Sequence, residues 1–138
     1  MRQVVDSFDV QTRRGLNDVT HAISERLRAS ELRDGLCTVF IRHTSASLVI
    51  QENADPAARR DLEAFLDRLV PEGDALYTHT AEGDDDMPSH VKAALTRTSE
   101  QILFRGGELL LGTWQGLYVW EHRSGRHRRE LAVHLIGE

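Results

Sequence analysis

The sequence predicts an α+β fold: a single domain over residues 1–138 with a largely antiparallel β-sheet or sandwich and two longer helices packed on it. Three observations predict it. Two long stretches carry apolar residues at the spacing of a helix stripe, and the C-terminal third is a series of short apolar runs. Turn-forming glycines separate those runs and no helical crossover connects them, which favours antiparallel pairing. The length is near that of one ordinary domain, roughly 100–150 residues, and no linker or repeat divides it.

Each element has its own signal. Val4, Phe8 and Val10 stand among polar residues and predict a first strand that ends near Gly15. Val19, Ile23 and Leu27 recur every fourth residue and predict a helix from Asp18 to about Ser30. Leu36 to Ile41 and Leu48 to Ile50 are β-branched and apolar, hence strands. Asp55 followed by Pro56 is an N-cap with proline at the first helical position. The helix it opens should bury Leu62, Phe65, Leu66 and Leu69 and stop before Pro71. Pro88 opens a short third helix carrying Val91, Ala94 and Leu95. Ile102 to Phe104, Glu108 to Leu111, Leu117 to Glu121 and Glu130 to Ile136 are the remaining strands. Their expected turns are Gly106-Gly107, Gly112 to Gly116 and Ser124-Gly125.

Charge and composition narrow the function. Seventeen basic against 22 acidic residues leave a net charge of −5, which argues against a nucleic-acid module with a basic surface. No apolar run approaches the ~20 residues of a membrane span and the N-terminus lacks a signal-peptide pattern, so the cytoplasm is the expected compartment. The single cysteine, Cys37, lies in an apolar run and reads as a buried strand residue.

Polar chemistry is concentrated in three strings: HTSASLVIQENADP from His43, HTAEGDDDMPSHVK from His79 and GTWQGLYVWEHR from Gly112. Burying so many hydroxyls, imidazoles and acids costs free energy unless each is partnered, which predicts one polar site built from three segments. His43, His79 and His90 are candidate ligands for zinc or another transition metal, or else members of a metal-free hydrogen-bond network. Asp85 and Asp86 are candidate catalytic acids or partners of a cation, magnesium included, and one of the run Asp84 to Asp86 should cap the third helix. Glu52 is a further catalytic candidate, whereas Asp55 is accounted for as an N-cap. Ser45 and Ser47 would share one strand face and could hold a phosphate. Thr113, Trp114 and Gln115, flanked by glycines, form either a ligand-facing turn or a hairpin turn. Arg123, beside the Glu121-His122 pair, is the candidate anion contact. A small phosphorylated metabolite is the ligand these groups suit.

The strings HTSASL, ENADP, EGDDDMPSH, LGTWQG and EHR, with Arg128-Arg129 near the end, appear in the order found in the YjbQ family, which this chain resembles over nearly its whole length. The resemblance implies an α+β homotrimer with sites at subunit boundaries, and a shared site for His43, His79 and His90. It also implies a thiamine-phosphate synthase-like transfer, in which a pyrimidine diphosphate joins a thiazole phosphate and pyrophosphate leaves. The family's paired acids fall on Asp85 and Asp86, and Asp84 is an extra charge. Between Leu95 and Glu108 the chain departs from the family pattern. A non-catalytic trimer that binds a metal or a phosphorylated metabolite is the competing expectation.

Overall fold

A computed structural model describes residues 1–138 and shows six strands and three helices in one α+β unit. The elements are β1 (Arg2–Asp18), α1 (Thr20–Ser30), β2 (Gly35–Ile41), β3 (Ala46–Glu52), α2 (Pro56–Leu69), α3 (Asp86–Leu95), β4 (Ser99–Arg105), β5 (Glu108–Leu109) and β6 (Gln115–Gly137). All strand pairs are antiparallel, in the order β1-β6-β2-β4-β5, with β3 also paired to β6. β6 is the spine of the sheet: its first half pairs with β3 and its second half with β2, while β1 runs along the opposite side of both.

That arrangement overturns one expected turn. Ser124-Gly125 is not a hairpin tip but a bend inside the continuous 23-residue strand β6. The partner strand explains it, because pairing resumes at Gly15 with Glu121 after Arg13 with Arg126, so residues 122 to 125 bulge opposite Arg14. Gly15 (φ 105°) and Gly125 (φ 81°) supply the positive-φ backbone on the two sides of this bulge. The bulge turns Arg123 toward the start of α3, which places it at the candidate site.

α1 lays Ile23 and Leu27 on one sheet face, against Cys37, Val39, Ile41, Ile102, Phe104, Leu131, Val133 and Leu135. Full burial of each of those two side chains contributes about 2 kcal/mol. A smaller cluster of Val49, Leu66, Val70, Tyr118 and Trp120 fills the opposite face beneath α2. The cluster is narrow, so α2 buries only Leu66 fully, and the expected core residues Phe65 and Leu69 are 55% and 57% exposed. Asp55 caps α2 as expected, its Oδ1 accepting the Ala57 N–H at 2.9 Å. α3 begins at Asp86, two residues before Pro88. No helix is long and apolar enough to cross a membrane.

Candidate functional site

The site forms where the N-terminus of α3 meets the residues leading into β3. His79 and His90, 11 positions apart, converge on one oxygen of Asp86: His79 Nε2 lies 2.6 Å and His90 Nε2 3.1 Å from Oδ2. Asp86 and His90 stand one helical turn apart on α3, and His79 enters from the preceding loop. All three ligand atoms lie within 4.8 Å of one another. The other Asp86 oxygen, Oδ1, pairs with Arg123 Nη1 at 3.2 Å. Burial pushes the Asp86 carboxyl up, but His79, His90 and Arg123 outweigh it and hold the group below the usual carboxylate range.

His90 is oriented by the backbone. Its Nδ1 lies 2.8 Å from the Thr44 carbonyl oxygen, an atom that only accepts, so Nδ1 carries the proton. With Nδ1 protonated, Nε2 faces the Asp86 carboxylate at 3.1 Å, and that contact requires a proton or a cation between the two atoms. A carbonyl behind the ring that sets the tautomer of a histidine is the arrangement used around metal ligands.

Several expected site residues are elsewhere or are already committed. His43 stands outside the triad: its Nε2 accepts the Glu130 N–H at 2.7 Å, so in a neutral ring Nδ1 is protonated and no lone pair is left for a metal. The expected cluster of three histidines is thus not formed, and the group that joins His79 and His90 is Asp86. Asp85 is not free for proton transfer, because it accepts from Ser124 N at 2.9 Å and faces the Arg123 guanidinium, tying α3 to the β6 bulge. Burial raises its pKa, and these donors more than reverse the effect. Arg123 spends its donors on Asp85, Asp86 and the Glu82 carbonyl and is not an open anion contact. Ser47 is 0% exposed and so is not open to a phosphate, its Oγ lying 2.9 Å from His122 Nε2. Ser45 is buried as well and gives its carbonyl to Arg129 Nη2 at 3.4 Å. Asp84 makes no ion pair with the site.

Glu52, Thr113, Trp114 and Gln115 lie at the other end of the β3–β6 pair, where Glu52 is opposite Gln115. Seven residues of strand separate them from the triad, roughly 20 Å within one chain. Gln115 Oε1 closes the turn by accepting from Gly112 N at 2.8 Å, and Asn53 Nδ2 donates to the carbonyls of Thr113 and Gln115. Trp114 is 64% exposed. Within one chain the three polar strings thus supply two regions, not one.

Sequence reasoning missed a set of buried polar residues on β6. Glu121 pairs with Arg129 and accepts from Thr12 Oγ1 at 2.6 Å, and both members of the ion pair are buried. Burial alone would raise the Glu121 pKa, but Arg129 and Thr12 bring it below its ordinary value. His122 is buried too, and desolvation with nearby Lys92 pushes it down to about 3, so it is neutral. The one available signal was Glu121-His122 directly following the apolar run Leu117 to Trp120, where a core strand has no need of charge.

Comparison with known proteins identifies the lineage. The family model described as UPF0047 protein YjbQ-like matches residues 6–138. The chain belongs to the UPF0047 YjbQ-like family. It is 52% identical over 125 residues to the UPF0047 protein sll1880 of Synechocystis, covering 91% of this chain and 85% of the relative. It is 40% identical over 126 residues to the UPF0047 protein YjbQ of Salmonella typhimurium, covering 91% of each. Among solved structures, an uncharacterized conserved protein of the family from Clostridium acetobutylicum superposes with a TM-score of 0.85 at 36% identity, covering 95% of this chain and 99% of that one. UPF0047 membership thus accounts for the α+β architecture and for the order of the polar strings.

Proposed function

We propose that this UPF0047 protein is a metal-assisted enzyme acting on phosphorylated small molecules, with the cation held by His79, Asp86 and His90. The observation that carries the reading is the Asp86 oxygen shared by two Nε2 atoms, one of them belonging to a ring whose Nδ1 is held by the Thr44 carbonyl. Two nitrogens and one oxygen suit zinc or another borderline transition metal, and they count against magnesium, which prefers oxygen ligands. Three protein ligands leave a position for substrate. A bound cation would supply Lewis acidity and charge neutralisation at a phosphate oxygen. Arg123 keeps Asp86 ionised and oriented, and Asp85 anchors Arg123.

Within that class, thiamine-phosphate synthase-like chemistry is the specific reaction suggested by the family resemblance. It would be checked by following thiamine phosphate and pyrophosphate formed from the two phosphorylated precursors, with H90A as control. The cation site is tested separately by metal content per chain in tag-free protein, H79A and H90A. Near-stoichiometric metal that is lost in both variants supports the site, and equal content in all three sinks it.

A non-catalytic metal- or phosphometabolite-binding module is favoured by one observation: Arg123 and Ser47, two expected phosphate contacts, are engaged inside the protein. Retention of ligand without turnover would decide for it. In either case the working form is proposed to be a homotrimer. Val5, Phe40 and Leu103 are exposed on the side of the sheet opposite α1, and they give self-association an apolar surface.

A further inference from the structure

Beside the triad, two hydrogen-bond donors face one another with no acceptor between them. The Glu130 amide can only donate, and it lies 2.7 Å from His43 Nε2, so that nitrogen must hold the ring's lone pair. The proton of the neutral imidazole is then on Nδ1. Arg129 Nη1 lies 3.4 Å from that same Nδ1, and a guanidinium has no lone pair to offer.

The rest of the Arg129 fork is occupied. Nε and Nη2 bind the Glu121 carboxylate, and Nη2 also reaches the Ser45 carbonyl, which leaves Nη1 with His43 alone. Arg129 is nine-tenths buried and cannot swing out to solvent without abandoning Glu121. His43 is half-buried, so part of the residue is accessible from solvent. Burial and the Arg129 charge both lower the His43 pKa, which keeps the ring neutral and the tautomer as described. The nearby acids are already paired, Glu130 with Arg42 at 3.1 Å and Asp9 with Arg128 at 4.0 Å.

We infer that His43 Nδ1 and Arg129 Nη1 form a two-donor site for an oxyanion oxygen, taking one oxygen of a phosphate or carboxylate group. Its position gives it a use. His43 is followed directly by Thr44, whose carbonyl orients His90, so the backbone that sets the triad's tautomer also carries the anion donor. In the proposed enzyme, and resting on that reading for its purpose, the donor pair would hold the ligand's anionic group while the triad acts beside it. It gives His43 an anion-binding role in place of the expected metal-binding one, and it supplies the arginine contact that Arg123 cannot.

The test uses tag-free, full-length protein stripped of metal, so that the donor pair is read independently of the triad. Long-range proton–nitrogen NMR of the His43 ring should show the proton on Nδ1. Titration with inorganic phosphate and, separately, acetate should shift the His43 Nδ1 and Arg129 side-chain signals saturably. The tighter of the two anions names the group. H43Q can present its Oε1 to the Glu130 amide but sets no N–H at the Nδ1 position, and it should weaken anion binding at least tenfold with its fold intact. H43N, which can offer an N–H near the Nδ1 position, should retain more of the binding than H43Q. A proton on Nε2, no saturable shift with either anion, or unchanged affinity in H43Q would overturn the assignment. H90A separates the two readings: it should abolish metal uptake and leave the anion shifts at His43 in place.

Discussion

The Asp86 carboxylate, 2% exposed, meets His79 Nε2 at 2.6 Å, so the least accessible acid of the DDD run is the one that joins the loop before α3 to the helix itself. Removing it leaves His79 and His90 without their common partner and Arg123 with Asp85 as its one remaining carboxylate. D86A should lose at least 10-fold in metal affinity and about 3–5 kcal/mol of stability, the cost typical of breaking a buried pair. Metal competition assays and urea denaturation check the two effects. D86N, which keeps the shape, should lose the metal but less of the stability.

His122 sets a pH dependence. Its folded pKa, pushed down to about 3, lies below the ordinary value near 6.5, so between those two pH values the unfolded chain binds a proton that the folded chain does not. Stability is therefore full above about pH 6.5 and declines as pH falls, with a limiting slope of about 1.4 kcal/mol per pH unit from this group. The depressed Asp86 and Glu121 add losses of the same sign at lower pH. Denaturant midpoints between pH 7.5 and 4.5 should show the decline, and H122Q should flatten its upper part.

The Glu121–Arg129 pair predicts a non-additive cycle. R129M strands a buried carboxylate and should cost about 3–5 kcal/mol, as E121Q should in part by freeing the guanidinium. Combining the two should cost less than the sum. Additive losses in a double-mutant cycle would show that the two side chains are not coupled.

Arg123 fastens the β6 bulge to α3 through Asp85, Asp86 and Glu82. R123A should leave the sheet intact while hydrogen exchange at Ser89, His90 and neighbouring α3 amides accelerates about 10-fold or more, corresponding to about 1.4 kcal/mol of local stability. Metal affinity should fall in parallel.

If copies of the chain meet through the sheet face bearing Phe40 and Leu103, F40D and L103D should convert the assembly to monomer in sedimentation velocity. The far-UV circular dichroism should not change. An assembly of unchanged mass would place its interface elsewhere, the exposed Phe65, Leu69 and Trp114 being the next surface to alter.

Much of this was legible along the chain. Period-four spacing located α1, the Asp55-Pro56 pair located α2, and β-branched runs located β2 and β3, because local backbone preference decides these elements. The polar strings were found for a similarly local reason: residues that a core does not ask for stand out wherever they sit. Residue type alone marked His79, His90 and Asp86 as chemistry-bearing groups.

Tertiary structure decided which of these groups remain free to act. The bulge at residues 122 to 125 turned Arg123 onto α3, left Arg129 as the arginine beside His43 and made a bend of an expected hairpin tip. No local pattern encodes that bulge, since it arises from the register of β1, more than 100 positions earlier, against β6. The Glu130 amide likewise took the lone pair that would have made His43 a ligand. Sequence determined which donors and acceptors this protein has and the elements that carry them. A donor or acceptor can be spent only once, and the assignment of each to a neighbour or to a ligand was made when β1, β6 and α3 packed together.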